Sequence, residues 1–147
     1  MIGIVHLHSA LRWVALLLLL FTFFAALRGG STFTEGARKR GLFTMIVLHV
    51  QLLLGLTLYF IGENGMALFE QANVMSNGVL RFFAVEHMMG MVIGIFLGTL
   101  GHVLTKRATT DAGKYRRQAV WFGLALAVIV ASIPWPFRPG FEAYGWF

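Results

Sequence analysis

Four histidines, His8, His49, His87 and His102, stand in otherwise apolar sequence, where imidazole is the side chain best suited to ligate a transition metal. His87 and His102 bracket one run, Glu86-His87-Met88-Met89-Gly90-Met91-Val92-Ile93-Gly94-Ile95-Phe96-Leu97-Gly98-Thr99-Leu100-Gly101-His102. At about 1.5 Å per residue the two rings sit roughly 22 Å apart along a helix, most of a hydrocarbon thickness of about 30 Å. Fifteen residues at about 100° each bring the second ring back to within about 60° of the first. One helix can therefore present a ligand near each face of a membrane. Ionisable groups at that depth are costly and mark function by default.

Gly90, Gly94 and Gly98 clear one stripe of that run. The stripe admits a neighbouring backbone, as in a packing seam, or something flat and rigid such as a porphyrin. His8 and Arg12 share a helix face, whereas His6 points elsewhere. Arg12 lies about one turn inside its run and needs an anionic partner, for which Glu86 and a haem propionate are the two options. Arg81, at the start of the third run, suits headgroups or a propionate. Trp13 suits either an interfacial anchor or cofactor packing. His49 falls mid-run, with Gln51 off its face and Gly55 two turns on.

The elements that must hold these residues are four apolar segments, at about 5–27, 42–61, 82–104 and 119–133. The chain has 147 residues, 58% hydrophobic and only 12% charged, against about 25% charged in soluble domains. One all-α integral membrane domain, a multi-pass four-helix bundle, is the expected fold. Nine of the twelve basic residues cluster in two loops. Arg28, Arg38, Lys39 and Arg40 follow the first segment, and Lys106, Arg107, Lys114, Arg116 and Arg117 follow the third. By the positive-inside rule these loops face the cytoplasm and both termini face outward, so the basic charge reads as topology rather than as a nucleic-acid surface. There are no cysteines, which excludes c-type haem attachment and cysteine-ligated clusters. The N-terminus lacks a basic stretch and Arg12 interrupts its apolar run, so the first segment reads as a retained helix. Segment four holds no histidine or charge. It ends at Pro134-Trp-Pro136, and an aromatic tail with Trp135, Tyr144 and Trp146 reads as interfacial.

Haem b needs two axial imidazoles, a close backbone, and cations at its propionates. His8 with His87 match in depth at the outer end, and His49 with His102 form a second, less well matched pair. His49 with His87 around a single haem is the alternative. Met88, Met89 and Met91 after His87 offer thioethers to Cu(I), which makes a copper-handling protein a competing reading. A non-catalytic accessory subunit, its glycine row packed on a larger complex or a second copy, is another.

His6-Leu-His8-Ser-x-Leu-Arg12-Trp13, His49-x-Gln51, Leu58-Tyr59-Phe60, Glu86-His87, Gly101-His102 and Ile133-Pro-Trp-Pro136 resemble a short family of bacterial membrane proteins labelled cytochrome B, and the four-segment layout resembles the cytochromes b561. The resemblance implies a bacterial inner-membrane protein with one or two b haems passing electrons, often to or from quinone, ascorbate or superoxide. It implies haem ligation at the four histidines only, and segment four departs from the b561 pattern in supplying no ligand.

Overall fold

The computed structural model describes residues 2–144, so Trp146 lies outside the described residues. Those residues form helices and no strand. The long elements are α1 (Ile2–Arg28), α2 (Glu35–Ile61), α4 (His87–Lys106) and α5 (Asp111–Ala131). A short α3 (Gly78–Arg81) runs into a π-turn (Phe82–Glu86), which leads directly into α4. Between α2 and α3 lies a 3-10 turn, Met66–Glu70, whose Leu68 is buried.

Local chemistry explains the boundaries. Thr34 caps α2 by accepting from the Ala37 N–H at 3.1 Å, and Thr110 caps α5 by accepting from Gly113 at 3.1 Å. Each cap satisfies a donor that has no partner inside the helix, and Glu35 and Asp111 add negative charge at the positive helix end. Gly29, at φ 63, ends α1 in a conformation glycine adopts without cost. The caps move two boundaries from the sequence expectation. α2 starts at Glu35 rather than near 42, so Arg38, Lys39 and Arg40 are helical, and α5 starts at Asp111 rather than near 119.

Three stretches are long and apolar enough to cross a membrane: Ile2–Arg28, Glu35–Glu70 and Gly78–Lys106. The expected fourth segment forms a helix, but its first turns carry Asp111, Lys114, Arg116 and Arg117, so its apolar part is short. It serves mainly to pack. α1 contacts α2 and α5, and α4 contacts the same two, so the helices close a ring with α1 diagonal to α4. Leu16, Leu19, Leu48, Ile95, Phe122, Ala125 and Ile129 fill its centre.

The glycine row of α4 faces α5. A Cβ on Gly90 would meet Ser132 Oγ at 2.0 Å, and one on Gly94 would meet Ile129 Cγ1 at 2.6 Å. Gly98 lies against Leu48 and Ala125, and Gly101 against Trp121 and Phe122. Of the two uses expected for this stripe, close approach of a neighbouring helix is the one present.

The two basic segments lie at the same end. Tyr115 Oη donates to Thr32 O at 3.1 Å, and Gln118 Nε2 donates to Ala37 O at 3.3 Å. Around the bundle the outward faces are apolar: Leu17, Phe21, Phe24, Phe43, Leu53, Phe60 and Phe96 are all more than half exposed. A girdle of this kind needs an apolar surround.

Candidate functional site

His8 and His87 are brought together. Their ring centroids are 6.4 Å apart with the planes at 78°, across the diagonal between α1 and α4. Two imidazoles on opposite sides of one metal, each bonded at about 2.0 Å with the ring centre about 1 Å further out, have centres roughly 6 Å apart. The observed separation is compatible with one metal between the rings and equally with an edge-on ring contact. Among the described residues no group of three or more His, Cys, Asp or Glu could hold a metal ion.

Each ring is seated by its own helical hairpin. His87 Nδ1 donates to the carbonyl of Ser132 at 2.7 Å, which turns Nε2 away as the lone-pair nitrogen. The π-turn before His87 adds one residue to the local turn, with the His87 N–H bonded to Phe82 O, and so sets the direction in which the ring leaves the helix. Gln51 Nε2 donates to the His8 carbonyl at 2.9 Å and lies 3.4 Å from the ring's Nε2. The His8 Nδ1 is buried without a hydrogen-bond partner. Gly55 makes room for this ring, since a Cβ there would meet His8 Cε1 at 3.1 Å.

Arg12 stands one turn from His8, 5.4 Å from the Trp13 ring centre, and Trp13 packs on Trp135 at 6.0 Å. The expected Arg12–Glu86 ion pair is not formed. Glu86 instead accepts from Arg81 Nε at 2.7 Å, and Arg81 also donates to Met75 O at 3.2 Å. The reason is proximity: the π-turn carries Glu86 back over Arg81 at the exposed end of the bundle, with both side chains more than two-fifths exposed.

His49 and His102 are not joined. His49 Nδ1 donates to Met45 O at 2.8 Å, and its Nε2 lies 3.5 Å from Thr99 Oγ1. His102, a turn beyond Thr99, lines a cleft with Arg38, Lys106 and Lys114. The methionines after His87 diverge as well: Met91 packs on the core and Met89 is exposed. Outside the membrane-directed segments, Asp111 is held below its ordinary value by the hydrogen bond from Lys114 and then by the Phe33 N–H.

Two features of the site escape sequence reading. Ser132 acts through its backbone, which no residue type announces. The π-turn leaves no apolar-periodicity signal. Gln51 does leave one, as a buried amide in an apolar run, and the interruption of that run is what points to a polar partner. Comparison with protein-family models, curated proteins and solved structures finds no match to this chain.

Proposed function

We propose that this chain is a membrane b-type cytochrome in which His8 and His87 hold one haem b from opposite sides. The carrying observation is the 6.4 Å approach of two imidazoles from diagonal helices. Three details support it: the Ser132 carbonyl fixing His87 Nδ1, the unpartnered His8 Nδ1, and the glycine cradle at Gly55. His8 and His87 would hold the haem, which would supply one-electron redox chemistry suited to electron relay.

The chain's own residues do the rest. Ser132 and Gln51 orient the two rings, and Arg12 places a cation beside them that suits a propionate. The exposed apolar girdle seats the bundle in lipid, and the shared basic end faces the cytoplasm, with quinone a fitting partner. A second haem on His49 and His102 has no such pairing behind it and is not part of the proposal.

The test is spectroscopic. Protein purified in detergent should show a reduced-minus-oxidised b-type α-band at one haem per chain. A colourless, iron-free preparation from haem-replete cells would refute the reading.

A further inference from the structure

Where the two basic segments meet, a cleft of about 280 Å³ opens between the start of α2, the end of α4 and the start of α5. Sites for drug-sized molecules run about 300–1,000 Å³, so this one suits a small ligand. Its rim carries Arg38, Lys106, Lys114 and His102 against a single carboxylate, Glu35. Arg38 is held by Glu35 and Lys114 by Asp111, whereas Lys106 has no ion-pair partner among the described residues.

The wall of the cleft is more telling than the rim. Thr105 and Gln118 both line it, at 5% and 2% exposure, and Thr105 Oγ1 and Gln118 Oε1 both lack a hydrogen-bond partner. The Gln118 amide cannot be reversed, because its Nε2 donates to Ala37 O at 3.3 Å and a flip would set oxygen against oxygen. Its Oε1 is thus an acceptor only. A helical threonine commonly returns its hydroxyl to the carbonyl four residues back, and Thr105 does not. A cationic rim accepts any anion, but a buried oxygen that can only accept calls for a ligand that also donates.

We propose that this cleft binds a phosphate ester with a neighbouring hydroxyl, the chemistry of glycerophosphate. Lys106, with Arg38 and Lys114, holds the phosphate, and the hydroxyl donates to Gln118 Oε1 and accepts from Thr105 Oγ1. Basic pockets between helices at a cytoplasmic membrane face accept anionic headgroups. The same chemistry therefore has two sources, a free glycerophosphate or the headgroup of phosphatidylglycerol. The proposal is independent of the haem site.

The experiment uses the full chain in phosphatidylcholine nanodiscs at pH 8. Glycerol 3-phosphate and methyl phosphate are titrated by calorimetry, and discs doped with phosphatidylglycerol or phosphatidylmethanol are compared for lipid retention by native mass spectrometry. The glycerol compound should bind at least tenfold more tightly than its methyl counterpart in one arm or both. The free-ester arm identifies a soluble ligand and the lipid arm a headgroup. Thr105→Val and Lys106→Gln should each weaken binding at least fivefold. Thr105→Val should not lower the unfolding midpoint of the ligand-free protein, since the oxygen it removes has no partner. Equal affinity for the methyl compounds, no binding in either arm, or binding that survives both variants would overturn the proposal.

Discussion

Tyr59 Oη donates to the carbonyl of Ala84 at 3.0 Å, tying the end of α2 to the π-turn from which His87 leaves. Ala84 is fully buried, so that carbonyl has no access to solvent. Tyr59→Phe keeps the ring and deletes the bond, and should cost about 1 kcal/mol in denaturant unfolding. It should also shift the haem midpoint potential, because the π-turn aims His87. An unchanged potential together with unchanged stability would show that the tie holds nothing.

The proposed haem site predicts that the histidines separate by role. His8→Ala and His87→Ala should each abolish the α-band, whereas His49→Leu should retain it at full haem content, because the nearest side-chain partner of His49 is Thr99. Pyridine haemochrome measurements on the three purified variants decide this, and loss of haem in His49→Leu would move the site.

Gly90 and Ser132 are coupled by space. A Cβ at position 90 would lie 2.0 Å from Ser132 Oγ, and Ser132 carries the carbonyl that orients His87. Gly90→Ala should therefore destabilise the bundle by about 1–3 kcal/mol, as overpacking does. It should also perturb haem binding more than Gly3→Ala, where no atom lies within 4 Å of an added Cβ. Parallel melts and haem titrations of the two variants supply the comparison.

Thr22 and Thr44 share a buried 2.8 Å hydrogen bond, and Thr44 also donates to Arg40 O at 2.9 Å. Thr44→Val strands the Thr22 hydroxyl and should cost about 1–3 kcal/mol, whereas Thr22→Val leaves Thr44 its carbonyl and should cost less. The double variant should recover part of the loss. A double-mutant cycle by denaturant unfolding reads the coupling, and strictly additive costs would contradict it.

Asp111 links the two basic segments through Lys114 and the Phe33 N–H, and its carboxyl sits below its ordinary 3.8. A lowered folded-state value means the stabilisation is present above the unfolded value and disappears as pH falls through the folded one. The melting midpoints of the wild type and Asp111→Asn should thus differ at pH 6 and converge once the pH has fallen below the folded-state value. A gap that persists at low pH would assign the effect to something other than the charge.

Much of the helical scaffold was legible in the residues because apolar length and the breakers between runs are physical requirements of long packed helices. The run from His87 to His102 is helical as read, and the meeting of His8 with His87 follows from their matched depth. What escaped reading depends on backbone or on competition between neighbours. Glu86 found Arg81, five residues away, rather than Arg12, because a π-turn folds it back. The glycine stripe took α5, since two helices approach more closely than any side chain allows. His49 and His102 were already the less well matched pair in depth, and angular position turns one toward Thr99 and sets the other at the basic cleft.

His8 is seated by Gln51 of its own hairpin, and His87 by Ser132 of its own. Each half of the chain thus carries one imidazole already aimed, and only the meeting of the halves makes a pair. A gene cut in the connection between Ile61 and Gly78 should yield two fragments that recover colour when co-expressed, while neither is coloured alone. Pigment would then report assembly, appearing only once the second hairpin has docked on the first.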